Sequence, residues 1–595
     1  MLHPPANAAL DERKADWPLT KRLMRQAKPY WKDLGLAAGL LLLITLGEQA
    51  KPMLVKQIVD GPVKSGDPRG VLSLAAFFMG SIALVFLLQA WQTVQTKAMG
   101  QGLMQDLRRA LFNKIHAQPL RYFDKNPVGA LMTRVVYDVE TLNQLFTAGV
   151  SAVFQDLFTV VVIAVVLIRL DPPLALVALS TLPALAWSTL IFRRRARENY
   201  RTLRANNAKM NAFLTENLAG MSTVQVFQRQ QRNAARFDKI NLDSLGILLK
   251  QIRINATFLP LAEVLSALAI ALALYYGAGR HLGGKVELGV VVATVMYIQR
   301  FFEPLRDLAE KYNIFQSAMA SSERIFALLD SADPIQDPAQ PLAARTLEGR
   351  VDFEGVYFAY EEERWALKGL SFSLEPGQRL AVVGPTGAGK SSLFNVLLRF
   401  YPYQKGRVLL DGQPLEAWRR ADFRRQLAYV PQDPFLFSGS VLENLRLSDG
   451  AVERAKVEWA AAQVGAHEFI ASLPQGYDTL LSEGGASLST GQKQLLAFAR
   501  ALVFEPRLLL LDEATASVDT ATEAGIQKAL EVLLQGRSSI TIAHRLSTVR
   551  DADRILLVKD GVVAEQGSHA ELMRLGGAYR GLVELQFKGQ EGGLD

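Results

Sequence analysis

The residues best suited to chemistry lie between 379 and 392. The sequence there runs Arg379-Leu380-Ala381-Val382-Val383-Gly384-Pro385-Thr386-Gly387-Ala388-Gly389-Lys390-Ser391-Ser392, then turns apolar from Leu393. A short buried strand running into a glycine loop and a helix is the setting that a phosphate cradle requires. The glycines let backbone N–H groups curl round phosphate oxygens without side-chain clash, and the helix N-terminus adds partial positive charge. Gly384, Thr386, Gly387, Ala388, Gly389, Lys390, Ser391 and Ser392 are therefore the candidate nucleotide-binding residues. Lys390 has the reach for β- and γ-phosphates, and the Ser391 hydroxyl is a ligand for Mg²⁺.

A second apolar strand, Leu508 to Leu511, ends in Asp512-Glu513. Acids at such a strand end place one carboxylate near Mg²⁺ and leave the next to polarise water. Asp512 is assigned to the metal and Glu513 to the attacking water. ATP and Mg²⁺ are the expected cofactors.

These elements occupy only part of a 595-residue chain, which is too long for one hydrophobic core. Runs almost free of charge, such as Leu34 to Leu46 and Val150 to Ile168, crowd the first half, whereas the chain from Glu348 has the charge distribution of a soluble α/β domain. A spanning helix needs about 20 mostly apolar residues. Six segments meet this: 34–58, 71–96, 146–170, 172–192, 256–280 and 286–315. The links at 61–70, 171–173 and 279–287 are short and rich in Gly or Pro. Those at 97–145 and 193–255 are long, polar and helical in period, which predicts two cytoplasmic hairpins.

The net charge is +8. Arg193, Arg194, Arg195 and Arg197 follow an apolar run, with Arg201, Arg204 and Lys209 continuing the series. This placement fits the positive-inside rule, and no interleaved aromatic platform suggests a nucleic-acid partner. Cysteine is absent, which excludes disulfides and thiolate metal sites. Glu48, Lys51, Glu263, Arg300 and Glu303 fall within the predicted spans. Charges there face a cavity, pair with one another or lie near a helix end.

In these features the chain resembles a B-type exporter half-transporter of the ATP-binding cassette (ABC) family, and the resemblance covers essentially its whole length. Tyr360 stands where the family stacks a ring on adenine. Gln432, in Tyr429-Val430-Pro431-Gln432-Asp433, matches the Q-loop, which touches Mg²⁺. Leu488-Ser489-Thr490-Gly491-Gln492 matches the signature motif, Asp519 the D-loop and His544 the switch histidine. Residues 122–129 and 216–227 resemble the two coupling loops, and Glu483 stands where exporters carry a glutamate that contacts those loops.

The resemblance implies six membrane helices in the type IV exporter fold, followed by an α/β P-loop ATPase. The expected organisation is a cytoplasmic segment at 1–33, a transmembrane domain at 34–320, a linker at 321–347 and a nucleotide-binding domain at 348–595. Ser489, Gly491 and Gln492 are expected to clamp a nucleotide held by a second subunit, and Glu513 and His544 to be catalytic. Thr490 replaces the usual glycine while Glu513 is intact. This favours a heterodimer, with a homodimer also accommodated. The implied setting is the bacterial cytoplasmic (inner) membrane with the ATPase in the cytoplasm. The implied activity is export of hydrophobic or amphipathic substrates, and drugs, lipids and peptides are not separable from these residues. An ATP-gated channel or regulator on the same fold is the alternative.

Overall fold

The computed structural model describes residues 17–332, 335–361, 364–512, 520–543 and 546–586. It divides into two compact units. One comprises the chain up to His116 with Val128–Ser331, and the other comprises Ala117–Pro127 with the chain from Ala332.

The first unit is helical. Its elements begin with α1 (Trp17–Gln26), α2 (Trp31–Ile58) and α3 (Pro68–His116), while α4 (Leu120–Lys125) lies on the excursion at 117–127 and belongs to the second unit. There follow α5 (Ser151–Leu170), α6 (Pro172–Leu179), α7 (Leu182–Ala219), α8 (Met221–Val226), α9 (Gln230–Leu282) and α10 (Leu288–Asp330). Among the described residues, five helical stretches are long and apolar enough to cross a membrane: Lys28–Val63, Pro68–His116, Val128–Leu170, Pro172–Ala219 and Gln230–Leu282. The sixth predicted span falls on α10, whose apolar part is Leu288–Phe302.

Local chemistry sets the breaks. Asp171 caps α6 by accepting from the Leu174 amide at 2.8 Å, and Pro172 occupies the first turn, where its missing N–H costs nothing. At the next link α9 runs through Gly279 to Leu282, and Gly284 makes the turn at φ +70°. Both long polar links are helical, as their period predicts. The second is a hairpin of α7 and α9 with α8 at its tip. Buried Asn199 donates to Gln251 and buried Asn206 to Ser244, each at 3.0 Å, so polar groups that face one another across the hairpin are satisfied.

Several charges in this unit are paired. Lys51 lies 2.5 Å from Glu48, and Arg300 reaches both the Glu48 carboxylate at 3.1 Å and its carbonyl at 2.6 Å. Lys311 pairs with Asp156, and Arg324 with buried Asp138.

The second unit is α/β. Strands β1 (Val351–Ala359), β2 (Trp365–Leu374) and β4 (Lys405–Leu410) form an antiparallel sheet, extended by Gln413–Pro414. The other sheet comprises β3 (Arg379–Val383), β5 (Leu427–Val430), β6 (Leu508–Asp512), β7 (Ser538–Ile542), β8 (Arg554–Lys559) and β9 (Val562–Gly567). Its order is β9-β8-β3-β7-β6-β5, parallel except for the edge strand β9. Strands β3, β6 and β8 are mostly apolar because both faces are covered, whereas β7 carries the buried hydroxyls of Ser538, Ser539 and Thr541. Leu380 and Val382 join one core, while Ala381 and Val383 join another on the opposite face. Three helices matter for the site: α11 (Lys390–Leu397), α12 (Val441–Arg446) and α13 (Thr490–Val503).

Candidate nucleotide-binding site

Strand register gathers the motifs at one edge. Val382 of β3 pairs with Ile542 of β7, Ile542 with Asp512 of β6, and Leu511 of β6 with Val430 of β5. The carboxyl ends of four parallel strands are therefore level. The glycine loop leaves β3, Gln432 follows β5, and Asp512 ends β6. Ligands of open α/β sheets bind at this end of the strands.

The loop needs its glycines. Gly384 has φ +149°, and a Cβ there would lie 2.0 Å from the Val558 carbonyl oxygen. Gly389 has φ +103°, and a Cβ would lie 2.5 Å from the Ala366 carbonyl oxygen. Lys390 opens α11 with its side chain folded into the loop, donating to the Gly384 carbonyl at 2.7 Å and the Pro385 carbonyl at 3.0 Å. Burial lowers its pKa below the ordinary lysine value, and the charge of Asp512 opposes this. The arrangement fits a polyphosphate: an ammonium and a helix N-terminus share one loop, with a carboxylate close enough to act on that ammonium.

Tyr360 sits beside this loop through α11. Its hydroxyl accepts from Asn395 at 2.7 Å and lies 3.2 Å from the Ser392 hydroxyl. Its ring meets Phe358 edge-on at 4.7 Å and Tyr401 at 5.1 Å. Buried Tyr401 donates to Asp124 at the end of α4, and burial followed by that bond pushes its phenol well above the usual range. Asn395 and Tyr401 belong to this constellation although no motif flags them, and Asp124 joins them from the segment 122–129 that resembles a coupling loop.

The signature segment stands on the neighbouring subdomain. Ser489 caps α13: its hydroxyl accepts from the Gln492 amide at 3.2 Å, and Gln492 Oε1 accepts from the Ser489 amide at 3.0 Å. This is a capping box, legible in Ser-Thr-Gly-Gln as S-x-x-Q. Ser489 and Thr490 are exposed, and Gly491 is buried. Farther along α13, Arg500 donates to the Phe435 and Asn444 carbonyls, each at 3.0 Å. Asn444 of α12 in turn exchanges bonds of 2.8 Å with the backbone of Phe437. Arg500 thus ties the signature helix to the chain just after Gln432. At position 482, Ser482 precedes Glu483, and the Gly484 amide donates to the Leu436 carbonyl at 3.1 Å.

Glu513, Asp519 and His544 lie outside the described residues. Their sequence neighbours Asp512 and Ala543 follow or end strands at the site edge.

The ABC transporter transmembrane region model matches residues 34–305, and the ABC transporter model matches residues 367–516. An uncharacterized ABC transporter ATP-binding protein of Bacillus subtilis, YknV, is 36% identical over 97% of this chain and 96% of its own length. The chain is an ABC transporter. This ABC chain also resembles a probable multidrug resistance ABC transporter ATP-binding/permease protein of B. subtilis, YheH. The two are 36% identical over 88% of this chain and 78% of that protein. Its fold matches a bacterial Atm1-family ABC exporter solved with ATP bound. The TM-score is 0.77 at 29% identity, covering 93% of this chain and 98% of the other. The ABC chain therefore joins an exporter-type membrane domain to an ABC ATPase. It is an integral membrane protein built for ATP-driven export, and ABC exporters act as dimers.

Proposed function

We propose that this ABC chain hydrolyses ATP as one half of a dimer and uses the cycle to export hydrophobic or amphipathic molecules across the bacterial inner membrane. The observation that carries this is the level edge where the glycine loop, Lys390 and Asp512 meet, on a chain whose other half is apolar helices.

Gly384, Thr386, Gly387, Ala388, Gly389, Lys390, Ser391 and Ser392 hold the phosphates, and Tyr360 offers its ring to adenine. Ser391, Gln432 and Asp512 would hold Mg²⁺, which supplies charge neutralisation at the β- and γ-phosphates when bound. Glu513 polarises water and His544 contacts the γ-phosphate. Ser489, Gly491, Gln492 and Asp519 serve a nucleotide on the partner subunit. Backbone donors at the start of α13 favour a terminal phosphate there.

Nucleotide contacts made only in the closed dimer drive closure, and their loss on hydrolysis resets the subunits. An intact Glu513 beside an altered signature at Thr490 supports a heterodimer in which this chain brings the hydrolysing Asp512-Glu513 segment. The multidrug relative supports an amphipathic substrate class. The proposed domain limits are 34–320, 321–347 and 348–595, after a cytoplasmic segment at 1–33.

The test is ATP turnover by the full chain with its co-purified partner. Glu513→Gln should retain MgATP binding and lose most turnover. Wild-type rates in that variant would remove Glu513 from the role.

A further inference from the structure

Lys51, Glu48 and Arg300 form the most unusual charge group in the membrane unit. Lys51 and Glu48 are a turn apart on α2, and Arg300 reaches across from α10. At 1.5 Å per residue, Lys51 lies about 10 Å from the end of α2 at Ile58, and Arg300 about 18 Å from the start of α10 at Leu288. With a hydrocarbon core of about 30 Å, both positions fall inside the spanning segments rather than at their ends.

Among the described side chains, this group holds two cations against one carboxylate. Lys311–Asp156, by contrast, is one-to-one. Farther out, Lys56 has Asp60 at 3.2 Å and Glu287 at 3.4 Å, so those acids already have a cation. Glu303 is three residues beyond Arg300, and its side chain lies outside the described set. A cation in excess of the described carboxylates within a spanning segment is costly and marks a ligand path. The group also has access: Glu48 is 30% exposed and Arg300 28%. Arg300 spends one N–H on a backbone carbonyl and shares the one carboxylate with Lys51, which leaves guanidinium donors for an anion.

We infer that Lys51 and Arg300 form a subsite within the membrane-spanning helices for the anionic headgroup, carboxylate or phosphate, of an amphiphile whose chain lies along the apolar helix faces. Glu48 competes with that anion for both cations. This rests on the export of amphipathic substrates argued above and specifies their charge.

The test is stimulated ATP turnover by the full chain and its partner in nanodiscs. The probes are dodecanoate, dodecyl phosphate, dodecyltrimethylammonium and dodecyl maltoside, each below its micellar concentration. The two anions should give half-maximal stimulation at a lower concentration than the cation or the neutral probe, and the better of the two identifies the headgroup source. Arg300→Gln or Lys51→Gln should raise that concentration about tenfold for anions alone, one charge-assisted hydrogen bond's worth. Arg300→Lys should restore part of the response. Glu48→Gln should shift it the other way, toward tighter anion binding, which a purely structural ion pair would not produce. Equal shifts for the neutral probe, or loss of the dimer in Arg300→Gln, would overturn the subsite. Stimulation by the neutral and cationic probes but not by anions would overturn it while leaving amphiphile export intact. Stimulation by none of the four would overturn both.

Discussion

Tyr401 touches two functional segments at once: its ring packs edge-on against Tyr360 at 5.1 Å, and its hydroxyl donates to Asp124. Tyr360 is the proposed adenine platform, and Asp124 lies on the excursion 117–127 that leaves the helical unit and packs with the ATPase unit. The phenol, held above its usual range, stays a donor throughout the physiological pH range.

Tyr401→Phe keeps the ring and removes the donor. Because Asp124 is exposed and can turn to water, the stability loss should be only about 1 kcal/mol. ATP affinity should be unchanged while the ratio of substrate-stimulated to basal turnover falls. Nucleotide binding and stimulated turnover measured side by side check this. An unchanged ratio would confine Tyr401 to packing.

Gly384→Ala should destabilise the protein by about 3 kcal/mol or more, since the new methyl meets the Val558 carbonyl and the backbone is strained. Gly387→Ala is the control. Its φ is +83°, but no atom lies within 4 Å of where its methyl would sit, so only strain opposes the substitution. The midpoint of thermal unfolding should fall clearly more for the first variant than for the second.

The lowered pKa of Lys390 makes two pH effects of opposite sign. The folded protein binds fewer protons than the unfolded chain between the lowered value and the ordinary 10.5, so folding stability rises with pH across that window. ATP needs the ammonium, so ATP affinity should weaken as pH rises through the same lowered value. Titrating ATP affinity from neutral to alkaline pH should show that decline in the wild type. Lys390→Ala should bind weakly at every pH and lack the transition.

Arg500→Leu should cost about 3 kcal/mol, because the Phe435 and Asn444 carbonyls lose their donor. MgATP binding should survive, whereas turnover should drop, since Arg500 holds the signature helix to the segment after Gln432. Comparable losses in binding and turnover would instead mean general unfolding.

Contiguity decided what the chain revealed in advance. The glycine loop was readable because strand, loop and helix follow one another from Arg379 to Leu393, and each residue type has one physical reason to be there. The apolar spans were readable for the same reason. The Tyr401–Asp124 contact was not, since 277 residues separate the pair and neither residue type is unusual alone. Arg500 was hidden similarly: its partners at Phe435 and Asn444 become neighbours only when α12 and α13 pack together. The capping role of Ser489 and Gln492 was present in the sequence as S-x-x-Q but overshadowed by the signature reading of the same residues. Glu48, Lys51 and Arg300 stood out singly as charges in apolar runs. Their two-to-one grouping required the meeting of α2 with α10.

ATP-dependent uptake of a labelled amphiphile into inside-out vesicles holding the full chain and its partner tests the central claim most directly. Wild type should accumulate the compound with MgATP and not with a non-hydrolysable analogue, and Glu513→Gln should accumulate little. Equal accumulation with the analogue, or ATP-induced ion current without accumulation, would contradict hydrolysis-driven export.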